Sequence, residues 1–273
     1  MAPMVQTALW MCVFILISML RSADACAQEP AVDRERYYDA VNHCRHAGQA
    51  PMSLSPDKRV LCFDGVLAEN MDVSSAKDLH DGGLFVVRSF GGHTIPAVTL
   101  SDIVRDRRAT VVVYDHCLSA CAQFLLVASD KTYILKDTLV AWHYPQGLEL
   151  CTYLEAPRDG EPKKVQRGPC RQGGEHGFTY ERTFTEFFKD RAVKPPLSLP
   201  TDSLYVRRIV RNLYAESGVF RDVMWTLHPR YYPSLFKTKI TYEAYPESQD
   251  EVDDMVKRLG LSAGRSVKVI YDP

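Results

Sequence analysis

Short apolar runs alternate with helical patterns through the middle of the chain. The runs that predict buried strands cover residues 59–63, 84–87, 110–114, 132–135 and 139–142. Helical spacing over 95–107 and a run rich in small residues over 120–128 predict helices between them. Strands separated by single helices favour parallel pairing. The pattern therefore predicts an α/β domain with a mostly parallel sheet.

The two ends of the chain carry further periodic segments. The segment over 48–57 is predicted to be a loop, and Asp64-Gly65 and Gly91-Gly92 are predicted to end strands. Residues 146–177 lose all periodicity and hold several prolines and glycines, which predicts an inserted surface arm. The remaining predictions are helices over 32–44, 74–80, 180–190, 203–217 and 248–259, a short helix ending at Leu227, and a strand over 266–271.

The N-terminus has the pattern of an export signal. Its apolar stretch, residues 8–20, is too short to span a bilayer comfortably. Ala25-Cys26-Ala27 follows and fits a cleavage site, so residues 1–27 are predicted to be a signal peptide cut after Ala27. No Lys or Arg precedes the apolar stretch, which leaves an uncleaved membrane anchor as the alternative. The sequence predicts a periplasmic or secreted protein with no membrane attachment after cleavage.

Six cysteines remain after this cleavage, and an even number in an exported chain predicts disulfides. Proximity along the sequence favours three pairs, although six cysteines allow many pairings. The favoured pairs are Cys44–Cys62, Cys117–Cys121 and Cys151–Cys170.

Composition narrows the class of protein. Hydrophobic residues make up 46% and charged residues 25%, which is typical of a globular chain. The formal net charge of -1 argues against a nucleic-acid-binding surface, which needs a strong positive field. The sequence divides into a helix and loop over 28–58 and one larger domain over 59–273.

Candidate chemistry is concentrated at the ends of the central strands. Ser119 lies between a predicted strand and a predicted helix, where the Ala120 amide would face a developing oxyanion. His143 ends another strand and could act as the base, while Gly91 and Gly92 let backbone amides approach a substrate closely. Together they predict a minimal acyl-transfer site. The alternative is that Ser119 is only a helix cap.

Three segments resemble the ClpP-type serine proteases of the wider ClpP/crotonase superfamily. They are Ser89-Phe90-Gly91-Gly92, Cys117-Leu118-Ser119-Ala120-Cys121 and Trp142-His143-Tyr144-Pro145. The chain looks most like exported ClpP-like proteins of Gram-negative bacteria. The resemblance covers roughly residues 59–147, with a fainter helical match over 203–261.

This resemblance implies a superhelix of β-β-α units with a mostly parallel sheet, here with a disulfide-closed insertion and C-terminal helices. It implies a serine hydrolase acting on a peptide or protein, with Ser119 as nucleophile and His143 as base. Gly91, Gly92 and Ala120 would form the oxyanion hole. No metal or cofactor is expected.

The chain also departs from the family pattern. Phe90 stands where the family has proline, and no motif marks the acidic third member of the triad. Asp190 and Asp222 are the candidates, and we take Asp222 as the prediction. The arm falls where ClpP has its oligomerising segment, so a stacked double ring is not implied and the oligomeric state stays open.

Three alternatives follow from the same residues. His116, Cys117, Cys121 and His143 would make a zinc site if the cysteines were reduced. A non-catalytic ClpP-like binding or envelope scaffold would explain the unassigned acid and the large arm. Crotonase-type acyl-CoA chemistry is the third alternative, and predicted export argues against it because CoA is a cytoplasmic cofactor.

Overall fold

The structure is a computed structural model that describes residues 31–47, 50–143, 151–154, 165–168, 186–193, 223–261 and 267–272. The predicted signal peptide, most of the arm, Asp222 and the predicted helix over 203–217 lie outside these residues. The chain divides into two compact units, residues 1–39 and 40–273. Helix α1 (Ala31–His46) crosses this boundary, and every residue discussed below belongs to the second unit.

The second unit contains mixed α and β elements. The longer helices are α2 (Thr94–Asp106) and α3 (Gln249–Arg258). Shorter helical segments are Ser74–Asp78, Cys121–Leu125, residues 186–191, Pro229–Tyr231 and Tyr232–Leu235. The strands are β1 (Met52–Leu54), β2 (Val60–Leu67), β3 (Leu84–Gly92), β4 (Thr110–Leu118), β5 (Lys131–Ile134), β6 (Leu139–His143), β7 (Cys151–Leu154), β8 (Val165–Gly168), β9 (Val223–Trp225), β10 (Lys239–Tyr242) and β11 (Lys268–Ile270).

A mostly parallel sheet organises the described part of this unit. It follows the order β1-β2-β3-β4-β6-β9-β11, with β5 joining β4 to β10. Only the β1–β2 and β6–β9 pairs of this sheet are antiparallel among the described residues. Strands β7 and β8 form a separate antiparallel pair within the arm. The predicted α/β class with mostly parallel pairing is confirmed.

Strand β4 changes partner halfway along its length. Its first half, through Val113, pairs with β5, whereas its last residues, 116–118, pair with β6. Strand β3 pairs with both halves, at residues 110–113 and again at Cys117. Between the halves, Asp115 has a φ of 55°, in the left-handed region that non-glycine residues seldom adopt. This bend lets one strand contribute to two parts of the sheet, and it brings the end of β4 beside the end of β6.

Alternating side chains of the central strands bury two apolar clusters. One face buries Cys117, Val140 and Trp142 with Phe124. The other face buries Leu118, Ala141 and Met224 against α3. The central strands are thus covered on both sides, as parallel sheets require. Among the described residues, no helix has both the length and the apolar content needed to cross a membrane.

Several sequence predictions require correction. Strand β2 continues through Asp64-Gly65 instead of ending there, because Asp64 and Gly65 pair with Arg88 and Ser89 of β3. Strand β3 ends at Gly92, as predicted. Strands β1, β7, β8 and β10 have no counterpart in the prediction, and the first three fall in segments predicted to be loop or arm. The predicted helix ending at Leu227 is wrong, since Val223–Trp225 is a strand held between β6 and β11.

The predicted helix over 120–128 is also shorter than expected. It is a single π-helical segment, Cys121–Leu125, followed by turns. A macrodipole sums over many aligned peptide groups, so one turn supplies little of it. At Ser119, individual backbone amides rather than a helix dipole are therefore the donors available to an oxyanion.

Candidate active site

Ser119 lies in a sharp turn directly after β4. Its φ of 57° is left-handed, although serine carries a Cβ that disfavours this conformation. Backbone bonds hold the turn: the Ser119 amide donates to the Ala141 carbonyl at 3.0 Å, and the Ser119 carbonyl accepts from the Gln123 amide at 2.9 Å. Such conformations persist only where the surroundings enforce them, and they concentrate at functional sites. We call this strand-to-helix turn the elbow; a turn of similar kind carries the nucleophilic serine of the α/β-hydrolase fold.

The Ser119 hydroxyl meets the His143 ring. Oγ lies 2.6 Å from Nε2, which is hydrogen-bond distance. The contact follows from the sheet, because Leu118 at the end of β4 is the register partner of Ala141, two residues before His143 on the adjacent strand β6. Two side chains separated by 24 positions along the chain are thus placed for direct proton transfer.

The glycine turn at the end of β3 rests on this elbow. Gly91 has a φ of +88°, and a Cβ built on it would lie 2.5 Å from the Leu118 carbonyl oxygen and 2.7 Å from the Ser119 Cβ. Only a hydrogen atom fits in that space, so the glycine allows the two strand ends to touch. The Gly91 amide donates to the Ser89 hydroxyl at 3.0 Å, and a substrate oxygen would have to compete with that hydroxyl for it.

A disulfide encloses the elbow. Cys117 and Cys121 are fully buried and bonded to each other, with their Cα atoms 5.2 Å apart and Ser119 between them. Cys44 and Cys62 form the second bond, which ties α1 to β2. These two predicted pairs are confirmed, whereas Cys170 of the third lies outside the described residues. The zinc alternative is wrong, because bonded cysteines offer no thiolates to a metal.

Neither candidate for the third triad member is settled by these contacts. Asp222 lies outside the described residues. Asp190 is exposed on helical residues 186–191, next to Arg191, which pairs with Asp102 at 2.7 Å. The assignment of Asp222 stays a prediction.

The sequence analysis did not identify a cluster of charged side chains on the strands that lead to the elbow and to the glycine turn. Arg88 Nε donates to Asp64 at 2.8 Å and Nη1 donates to Asp115 at 3.0 Å, while Arg45 reaches the other oxygen of Asp115 at 3.0 Å. Tyr114 is buried between the two arginines, and this burial raises its pKa to about 12. The sequence does contain a signal for this cluster, since strands buried on both faces normally carry apolar side chains and these strands carry charged ones.

His116 is a further residue whose environment the sequence does not reveal. It is 6% exposed and its ring stacks on Phe90 with centroids 3.9 Å apart. Burial, and then the positive charge of Arg88, lower the pKa of His116 to about 4. Among the described residues its Nδ1 atom has no hydrogen-bond partner that would stabilise a proton there. The ring is therefore neutral at neutral pH.

We expect this burial to make stability depend on pH. Between about pH 6.5 and about pH 4, the unfolded chain protonates His116 and the folded chain does not, so the free energy of unfolding falls as pH falls through that window. The full loss is about 3 kcal/mol. His116→Leu, which is similar in volume, should flatten this slope in urea denaturation, whereas substituting the exposed His80 with Gln should leave it unchanged. Equal slopes for wild type and His116→Leu would contradict the assignment.

Comparisons with known proteins add little to this geometry. No protein-family model matches the chain, and no curated protein sequence matches it. One similar solved structure is a point mutant of ClpP1 from Listeria monocytogenes, at 22% identity and a TM-score of 0.27. The match covers 33% of this chain and 59% of that chain.

Proposed function

We propose that this chain is an exported serine hydrolase, of ClpP-like architecture, that cleaves peptides or proteins. The observation that carries the proposal is the 2.6 Å contact between Ser119 Oγ and His143 Nε2 at a left-handed elbow. A serine hydroxyl becomes a useful nucleophile only when a base takes its proton, and this contact supplies the base. Gly91, Ser119 and His143, one from each of the three segments that resemble the ClpP-type proteases, meet at this point, which supports the same activity.

The reaction follows from the two side chains. Ser119 Oγ attacks the substrate carbonyl carbon while its proton passes to His143 Nε2. The resulting imidazolium returns that proton to the leaving amine as the C–N bond breaks, which leaves an acyl group on Ser119. Water then attacks the ester, giving its proton to His143, and the serine hydroxyl is restored when the acid leaves.

Backbone amides would stabilise the tetrahedral oxyanion. The Ala120 amide follows the nucleophile directly and lies beside Gly91, since a Cβ on Gly91 would come within 2.8 Å of it. The His93 amide donates to Leu67 on β2. The Gly92 amide lies between this amide and that of Gly91, which donates to the Ser89 hydroxyl. We therefore propose Gly92 and Ala120 as the oxyanion donors, with Gly91 supplying the close approach.

The surface around the glycine turn favours a substrate with an apolar side chain. Val66, Phe90 and Ile95 are exposed at 57%, 42% and 51%, although large apolar side chains in adjacent positions are usually buried. Val66 is the register partner of Gly91, which contacts the elbow, and Phe90 precedes that glycine in sequence, so these two exposed side chains lie close to the nucleophile. The two disulfides support export, because such bonds persist in oxidising compartments.

Covalent labelling tests the proposal. A fluorophosphonate probe should modify the wild-type protein, and mass spectrometry of the digested product should locate the adduct on Ser119. Ser119→Ala should take up no probe, while Ser75→Ala, which removes an exposed serine from the segment Ser74–Asp78, should label like wild type. A wild type that resists the probe, or an adduct on another serine, would contradict the proposal and favour a non-catalytic binding protein.

A further inference from the structure

The register between strands β3 and β4 shifts just before the candidate site. Val87 pairs with Val113, and the next partners are Ser89 and Cys117. Strand β3 advances by two residues where β4 advances by four, so β4 bulges outward around Asp115. Every residue of the elbow follows this bulge, and its shape therefore decides where Ser119 lies relative to β3.

Arg88 spans the bulge. Its guanidinium binds Asp64 on β2 through Nε and Nη2 as a bidentate contact, and its Nη1 donates to Asp115 at 3.0 Å. A planar fork with fixed donors suits such a double contact, and lysine could not reproduce it. Arg45 holds the other oxygen of Asp115 at 3.0 Å, so the carboxylate is fixed from two sides. These side chains are about one-third to one-half exposed, so the network lies at the surface of the protein.

After Arg88, two further contacts link the C-terminal end of β3 to the end of β4 and to the elbow. Phe90 stacks on His116, and Gly91 presses against Ser119. Arg88 is thus the first contact in a series that ends at the nucleophile. Of these three contacts, the one made by Arg88 is the charged and directional one.

We propose that Arg88 is a positioning residue, which holds the Ser119 elbow in register with the glycine turn through its bond to Asp115. This inference rests on the proposed hydrolase function. Without this bond, Asp115 would keep its left-handed conformation with Arg45 as its remaining described ion-pair partner. The elbow would then move away from Gly91. The chemistry at Ser119 would slow although no reacting group had been removed.

The test compares Arg88→Gln, Asp115→Asn and the double variant. Asparagine tolerates the left-handed region well, so Asp115→Asn removes the charge and spares the backbone. The limiting rate constant of fluorophosphonate labelling, per folded molecule, should fall by about 10- to 100-fold in each single variant. The double variant should label no more slowly than Arg88→Gln, because both changes break the same bond. The probe concentration for half-maximal rate should stay within about twofold of wild type.

The matched control is Arg108→Gln, which removes an exposed ion pair with Asp81 of 2.7 Å at the other end of the sheet. It should label like wild type. Single variants that label at the wild-type rate once corrected for the folded fraction would overturn the inference, and so would additive losses in the double variant.

Hydrogen exchange separates this inference from the proposed function. The Ser119 amide, which donates to the Ala141 carbonyl, should exchange faster in Arg88→Gln than in wild type. Its exchange rate in Arg108→Gln should equal that of wild type. If wild type takes up no probe but this difference is present, the hydrolase proposal fails and the positioning contact stands. If wild type labels on Ser119 and neither the labelling rate nor the exchange changes in Arg88→Gln, the inference alone fails.

Discussion

Replacing His143 with alanine is expected to slow fluorophosphonate labelling of Ser119 by roughly 10³-fold at neutral pH. The reason is the 2.6 Å contact, through which the imidazole takes the proton that otherwise keeps the hydroxyl unreactive. The serine, the amides around it and the disulfide stay in place in this variant. The second-order rate constant of labelling measures the effect directly, and thermal unfolding should show that the protein remains folded.

The control for this substitution is His80→Ala, an exposed histidine that should label like wild type. Asp222→Asn belongs to the same comparison, because an asparagine could not orient the imidazole or stabilise its charged form. It should slow labelling by about 10-fold or more, whereas Asp190→Asn should have no effect. A His143→Ala variant that labels within a few-fold of wild type would mean that another group activates Ser119, and the dyad would have to be abandoned.

The strands and the candidate residues can be predicted because their signals are local. Runs such as Thr110–Tyr114 are apolar enough to require burial, and they bound the turns in which Ser119 and His143 lie. The cysteine pairs 44–62 and 117–121 are close in sequence, and loop closure favours such pairs. The candidate site can therefore be predicted from the spacing of its residues and from its resemblance to a family.

The errors arise where distant residues decide the local structure. Val223–Trp225 has a composition that suits a helix or a strand, and its pairing with β6 and β11 makes it a strand. The bulge at Asp115 depends on β4 changing partner from β5 to β6, which a local window cannot reveal. The glycines at 91 and 92 end β3 as predicted, but the close contact of Gly91 with the elbow depends on residues of β4 that a local window does not include.

This contact is the basis of the second large expected effect, in Gly91→Ala. The added methyl group would lie within 2.5–2.8 Å of Leu118, Ser119 and Ala120, all of them in the elbow, and alanine would also have to hold a φ of +88°. The conformational strain costs about 1–3 kcal/mol. Relief of the overlap must move β3 and the elbow apart, and a shift of about 1 Å at a reacting group can cost about 10²-fold in rate. We expect labelling per folded molecule to fall by at least about that factor.

Gly82→Ala is the matched control for this variant. Gly82 has a φ of +70°, yet a Cβ there would meet no atom within 4 Å, so alanine introduces the strain without the overlap. Both variants should lose stability from strain in urea denaturation, Gly91→Ala more because of the added overlap, and only Gly91→Ala should also lose labelling. Wild-type labelling in folded Gly91→Ala would show that the glycine turn does not set the position of the nucleophile. Equal labelling losses in the two variants would instead assign the effect to strain in the fold, and the oxyanion turn would have to be sought elsewhere along the sheet.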